Sequence, residues 1–353
     1  MEPIDAHGYY FTEVGSPLDR RSFTITKVEG DQVVVKVAGC GLCHTDLGFI
    51  SGKVKTNAEL PLILGHEISG EVVAAGAAFD NLVGRLVIIP AVLPCGECEL
   101  CKGGRSNICR HQKMPGNDFN GGFASHITVP GRFLCRLPED LGEFKVAQLS
   151  VIADAVTTPY QSLLRSNLKK GDLAVVIGVG GIGIYMAQLA KDAGATVIAI
   201  DIDEAKLAKA KELGVDFTVN SKGLSERDVR DRVRGLAKEN KLQRYQWKVF
   251  ETSGSAEGQT AAFSLLTFAG TLGVIGFTMD KVSVRLSNIM AFDADVFGNW
   301  GCKPENYPAV VDKVLKGDIN VLDNIEERPL DSINDTLPLA FDHKLAKRVV
   351  FLP

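Results

Sequence analysis

Between residues 171 and 290 two hydrophobic rhythms alternate. Apolar runs of strand length, LAVVIGVG (173–180), ATVIAID (195–201) and DFTVN (216–220), are each followed by a stretch with apolar residues at helical spacing. These stretches are IGIYMAQLAKDAG, DEAKLAKAKELG (203–214) and SERDVRDRVRGLAKENK. A strand apolar on both faces suits the interior of a parallel sheet, and parallel neighbours need a crossover, usually a helix. YQWKVFETSG, a helix near 256–268 and GTLGVIGF continue the pattern. The region predicts a doubly wound parallel sheet.

The flanks read differently. QVVVKVAGCG (32–41), EVVAAGAAF (71–79) and RLVIIPAV (85–92) are β-branched runs bounded by Gly, Asp or Asn, with dense turn residues between them. They predict short strands in a mostly-β domain. After about 293 the chain returns to loops and helix (PENYPAVVDKVLKG) and ends in the strand-like RVVFLP. The expected organisation is a β-rich domain (1–153), an inserted α/β domain (154–292) and a return to the first domain (293–353). A length of 353 residues gives room for two cores.

Composition adds mainly exclusions. Charged residues are 23% and hydrophobic residues 45%, an ordinary globular balance. A net charge of -4 and a pI near 5.9 give no general attraction to nucleic acid or anionic membrane, so neither is expected as a partner. MEPIDAHGYYFTEV lacks the basic start and apolar core of a signal peptide, and no apolar run approaches the roughly 20 residues of a membrane span. Four of the eight cysteines fall in one short stretch, which fits a reducing cytoplasm.

Gly178, Gly180 and Gly183 form GVGGIG, with Gly181 and Ile182 between, directly after an apolar strand and at the start of a helix. In that context the first glycine makes a tight turn and the second admits a pyrophosphate. The third packs helix on strand, and the helix N-terminus offers N–H groups to the anion. Asp201 ends the next strand, 18 residues after Gly183. A carboxylate there accepts from a ribose 2′-OH and repels a 2′-phosphate, so NAD is favoured over NADP.

Cys95, Cys98, Cys101 and Cys109 stand in CGECELCKGGRSNIC. This spacing brings four thiolates to one point, the closed S₄ shell of a structural zinc. Disulfides and an iron–sulfur cluster are the weaker readings. Cys43 in CGLCHTD and His66 with Glu67 in GHE could meet as a second, open metal site. On spacing alone that pair is only suggestive.

Taken together, CGLCHTD, GHE, the four-cysteine lobe at 95–109 and GVGGIG followed by Asp201 make the chain resemble the zinc-containing medium-chain alcohol dehydrogenases over nearly its full length. The resemblance implies a GroES-like, mostly-β catalytic domain split around a Rossmann domain. It also implies two zinc ions per subunit, one structural and one catalytic. Cys43 and His66 would hold the catalytic zinc with a third ligand. Relatives commonly carry a Cys six residues before a Tyr; here VIADAVTTPYQ places Asp154 six before Tyr160, so Asp154 is expected, with Glu67 as the alternative or exchangeable ligand. Thr45 matches the hydroxyl that meets the substrate alcohol, while Gly48 replaces a proton-relay His. His44 and Arg348 match pyrophosphate contacts, and Thr158 matches a residue against the nicotinamide. The family also implies a homotetramer, or alternatively a homodimer.

Within the family the chain is similar to dehydrogenases of 6-hydroxycyclohex-1-ene-1-carbonyl-CoA, in the IADAV segment and GNWGCKPENYP (298–308). That implies a CoA-thioester substrate in anaerobic aromatic degradation, with Arg132, Lys113, Arg110 and Lys303 available for its phosphates. Simple alcohols or polyols are the alternative substrates. A zinc- and NAD-binding structural protein without turnover is the remote one, opposed by an intact Cys43, His66, Asp154 and Thr45.

Overall fold

The computed structural model describes all residues, Met1–Pro353. The chain forms two compact units. One comprises Met1–Thr157, Gly301–Lys316 and Val321–Pro353; the other comprises Thr158–Trp300 and Gly317–Asn320.

In the first unit a seven-stranded sheet runs in the order Ile325–Pro329, Arg348–Leu352, Gln32–Gly41, Glu67–Ala75, Leu86–Ile89, Cys135–Arg136, with His126–Pro130 also paired to Gln32–Gly41. A smaller sheet joins Ile4–Phe11 to Asp19–Ile25 and Leu62–Ile63. Val33, Val35, Ile68, Val72, Ile89, Phe123 and Phe351 share the core of this unit, all fully buried. Burying each such side chain stabilises the fold by about 1.5–3 kcal/mol.

The second unit is a six-stranded parallel sheet in the order Phe217–Asn220, Thr196–Asp201, Leu173–Ile177, Lys248–Glu251, Thr271–Val274, Asp295–Gly298. The chain leaves Leu173–Ile177 first to one side and then to the other. The switch therefore falls beside that strand, where doubly wound sheets bind ligands at the carboxyl ends. Val175, Ile198, Val249 and Trp247 anchor its own core.

The unit boundaries differ from the expected ones, falling at 157/158 and 300/301 in place of 153/154 and 292/293. Asp295–Gly298 joins the parallel sheet as its last strand, which carries the second unit past 292. Gly317–Asn320 also goes with that unit, because Asn320 N donates to Gln188 Oε1 (2.7 Å) and Gln188 Nε2 donates back to Asn320 O (3.3 Å). No helix is long and apolar enough to cross a membrane.

Candidate active site and metal centres

Register brings the mixed cluster together. Gln32–Gly41 pairs antiparallel with Glu67–Ala75 so that Gly41 lies opposite Glu67. Cys43 follows the first strand and His66 precedes the second, so both leave the sheet at the same end. Asp154 arrives at the end of the 3₁₀ run Val146–Ala153. That run is seated on the same strands: Ser69 Oγ donates to Val146 O (2.7 Å), and a Cβ on Gly39 would lie 2.7 Å from Ala147 O. As a result one ligand-type atom from each of Cys43, His66, Glu67 and Asp154 lies within 4.8 Å of the others.

The cluster has the chemistry of a cation site. Asp154 Oδ2 is 3.9 Å from Cys43 Sγ and 3.7 Å from His66 Nε2. Tetrahedral zinc bonds predict edges of about 3.4–3.6 Å, so a few tenths of an ångström separate this arrangement from a coordination shell. Both His66 nitrogens and Glu67 Oε2 are buried without a hydrogen-bond partner. Such orphaned groups are costly in a protein interior; a metal would satisfy His66 Nε2, while Nδ1 faces the Asp46 carboxylate. Burial opposes protonation of His66, yet the charges of Asp46, Cys43 and Asp154 outweigh it and hold the imidazole well above its ordinary range. Cys43 and His66, with Asp154 or Glu67 as a third donor, make a set that fits a zinc ion of the kind the resemblance implies.

Glu67 divides its two oxygens. Oε1 accepts from Arg348 Nη1 at 2.8 Å, and Oε2 is buried without a partner; one oxygen of this carboxylate belongs to the cluster. Burial raises its carboxyl to about 7 despite the Arg348 charge. Arg348 itself is placed by the antiparallel pairing of Val350 with Gly41, and also donates to Leu42 O (3.2 Å). Its side chain is only 5% exposed. Nη1 of the guanidinium is thereby committed to Glu67. His44 stays exposed, stacked on His343 with ring centroids 6.0 Å apart. Thr45 Oγ1 lies 3.7 Å from Cys43 Sγ, beside the cluster.

Asp46 was not singled out from sequence. Fully buried, it accepts from Cys43 N (3.0 Å) and Gly65 N (3.1 Å), and its Oδ1 faces His66 Nδ1 at 3.5 Å. It thereby fixes both residues flanking it in space. The signal was present: Asp46 is the third helical residue after Cys43 at the N-cap, the spacing of a capping box. Carboxylates behind a ligating imidazole commonly contribute 10–100-fold to metal affinity. Asp46→Asn is expected to weaken zinc binding at this cluster by roughly that factor, read by competition with a chelating dye. The four-cysteine zinc should be untouched.

The four-cysteine lobe is similarly pre-formed. Its sulfurs lie 3.5 Å (Cys98–Cys101, Cys95–Cys109), 3.6 Å (Cys98–Cys109) and 4.0 Å (Cys95–Cys101) apart. Zinc–thiolate bonds of about 2.3 Å predict an edge near 3.8 Å, whereas a disulfide would close to about 2.05 Å. All eight cysteines are free. Backbone N–H groups of Cys98, Cys95 and His111 point at the Cys95 and Cys109 sulfurs (3.3–3.4 Å), as thiolate ligands require. A backbone N–H from Cys101 heads the causes that lower the Cys98 thiol to about 6, while burial pushes Cys101 up to about 12.

In the second unit the glycines divide as their spacing predicts. Gly178 has φ +83°, and a Cβ there would meet Ser253 at 2.5 Å. A Cβ on Gly183 would fall 1.8 Å from Gly178 O, so helix and strand touch. Gly180 faces open space, with only Lys206 Nζ at 4.0 Å. No side chain caps the helix Gly183–Asp192 that follows. This is a cradle for a phosphate, with a cation beside it that sequence reading passed over. Asp201 holds the loop, accepting from Val179 N (2.8 Å) and Asp203 N (3.0 Å). Thr158 O accepts from Asn299 Nδ2 (3.2 Å), fixing the start of this unit.

Comparison with known proteins agrees. Residues 29–139 match the alcohol dehydrogenase GroES-like domain, and residues 181–316 match the zinc-binding dehydrogenase family. An alcohol dehydrogenase of Geobacillus stearothermophilus is 30% identical over 92% of both chains. D-arabitol-phosphate dehydrogenase of Enterococcus avium is 30% identical over 86% of this chain and 85% of its own. The solved alcohol dehydrogenase of the archaeon Aeropyrum pernix superposes with a TM-score of 0.88 at 27% identity, covering 98% of this chain and 100% of that one. The chain belongs to the zinc-containing medium-chain alcohol dehydrogenase family. It is an enzyme of the zinc-dependent alcohol or polyol dehydrogenase type, using a nicotinamide cofactor.

Proposed function

We propose that the protein oxidises a secondary alcohol to a ketone with NAD, at a zinc held by Cys43, His66 and Asp154, with a second, structural zinc on Cys95, Cys98, Cys101 and Cys109. The observation that carries the reading is the convergence of thiolate, imidazole and carboxylate, with His66 Nε2 turned to the cluster and without a hydrogen-bond partner. When bound, zinc lowers the pKa of the substrate hydroxyl and the nicotinamide accepts the hydride.

The chain's own groups do the rest. Cys43 and Asp154 each contribute one negative charge against the two positive charges of the cation. A carboxylate is a harder donor than a second thiolate, which leaves the cation the stronger Lewis acid. Asp46 fixes the orientation of His66 from behind. Thr45 Oγ1 takes the substrate proton into a hydrogen bond. Because Gly48 offers no imidazole, that proton leaves through water, the cofactor ribose or another side chain. Glu67, whose Oε2 has no hydrogen-bond partner, stands in the same cluster as an exchangeable donor. His44, Thr158, Gly178, Gly180, Gly181, Ile182, Gly183, Asp201 and Arg348 bind the cofactor, and Asp201 excludes a 2′-phosphate by like charge.

The substrate proposed is 6-hydroxycyclohex-1-ene-1-carbonyl-CoA, supported by the resemblance in VIADAV and GNWGCKPENYP. A polyol or polyol phosphate is the second reading. It is favoured by the carboxylate at position 154 and by relatives named D-arabitol-phosphate and sorbitol dehydrogenase. The assembly proposed is a homotetramer, with a homodimer as the alternative.

NADH formation tests this directly, with the thioester, free cyclohexenols, simple alcohols, sorbitol and D-arabitol phosphate offered in parallel. Rapid turnover of the thioester alone is expected, with NADP at least about 10²-fold poorer than NAD because the 2′-phosphate meets the Asp201 carboxylate. Turnover of polyols with the thioester inert discards the CoA substrate and keeps the chemistry.

A further inference from the structure

Tyr307 lies far from both metal clusters in sequence, in the helix Tyr307–Leu315, yet it is fully buried at 1% exposure in the first unit. Its hydroxyl donates to Ala153 O (2.5 Å) and accepts from Ala91 N (3.3 Å). Ala91 N also reaches Ala153 O at 3.4 Å, closing a triangle. Burial holds the phenol well above its ordinary range, so it keeps the proton it donates.

The carbonyl so held is the one immediately before Asp154, the residue that ends the 3₁₀ run with φ -143° and ψ -56°. Pinning a carbonyl pins its peptide plane, and with it the direction in which the next residue projects its side chain. A carboxylate serving as a metal ligand tolerates little error, because its oxygen must stand about 2.0–2.2 Å from the ion. No other ligand of the cluster arrives on a 3₁₀ run; Cys43 and His66 are set by strand register. The same segment reaches the other metal lobe, since Ser106 Oγ donates to Glu305 Oε2 at 3.2 Å.

We propose that Tyr307 is a positioning residue for Asp154: its hydroxyl sets the Ala153–Asp154 peptide so that the carboxylate points at the mixed metal cluster. This rests on the reading of Asp154 as a zinc ligand. The sequence places Tyr307 in a helix (PENYPAVVDKVLKG) and in the segment GNWGCKPENYP, but not beside Ala153, because the contact spans 154 residues.

The test measures zinc release from the two-zinc holoenzyme to a chelating dye, in which the two sites should give separate phases. Tyr307→Phe keeps the ring and removes only the hydroxyl. It is expected to speed release from the mixed site about 10-fold while leaving the four-cysteine phase unchanged. With cobalt exchanged into the mixed site, its visible absorption should shift. In an Asp154→Ala background, Tyr307→Phe should add nothing, as a double-mutant cycle requires when one residue acts through the other. Unchanged release and spectrum in Tyr307→Phe, equal acceleration at both sites, or full additivity with Asp154→Ala each overturn the proposal. If Asp154→Ala alone leaves release unchanged, the ligand reading fails as well, so the two failures are told apart.

Discussion

Replacing Cys43 or His66 by Ala is expected to lower kcat/KM by at least about 10³-fold while cofactor binding survives. A metal acting as Lewis acid contributes several kcal/mol to the transition state, and each 1.36 kcal/mol is a factor of ten. On the proposed shell, either change removes one of three protein donors and leaves Glu67 as the one neighbour. Glu67 could supply only its one remaining oxygen, Oε2, since Oε1 is held by Arg348 at 2.8 Å, and that would fill one position without restoring the lost thiolate or imidazole. The glycine loop and Asp201 belong to the other unit, whose core around Val175, Ile198, Val249 and Trp247 contains neither residue. NAD affinity, measured by calorimetry, should therefore change little. Cys43→Ser serves as the gentler variant, since His66→Ala also strips Asp46 of the imidazole it faces. Turnover retained in a variant with an empty mixed site would sink the mechanism.

Replacing Cys101 by Ser is expected to act on stability first. Its middle depends most on the metal: the four-residue helix Glu99–Lys102 buries no side chain, whereas Ser106, Asn107 and Cys109 at its end are buried. Lys102, Gly103, Gly104 and Arg105 form an exposed turn around the sulfurs. Arg132 Nη1 on Cys95 O (2.6 Å) and Ser106 on Glu305 are its polar ties to the rest of the unit. Loss of a structural metal belongs with the few changes that cost more than about 4 kcal/mol. We expect one zinc per subunit in place of two, rapid proteolytic cleavage near 102–105, and a lower urea midpoint. Undiminished stability with the lobe zinc gone would assign these cysteines another role.

What could be read from sequence follows the range of the interactions involved. The four sulfurs lie within 15 residues of chain, and the glycine loop is one turn between a strand and a helix, so local spacing carried them. The pairing of Cys43 with His66 needed the register of Gly41 against Glu67, which no local pattern states. Asp46 looked like one more residue of CGLCHTD until that register set it behind His66. The ion pair of Arg348 with Glu67 depends on the antiparallel pairing of the arginine's strand at Gly41, which no local pattern states either. The edge strand Asp295–Gly298 was missed because its side chains are mostly exposed, so it lacks the apolar run that marks the inner strands.

The most direct test of the account removes the mixed-site metal alone. A chelator is added to native protein while zinc per subunit, the rate of NADH formation and the unfolding midpoint are followed together. The account predicts that the rate falls in proportion to the first zinc lost, with the midpoint nearly unmoved while the four-cysteine zinc stays. Full activity after the first zinc has left, or activity lost only with the second, would contradict it.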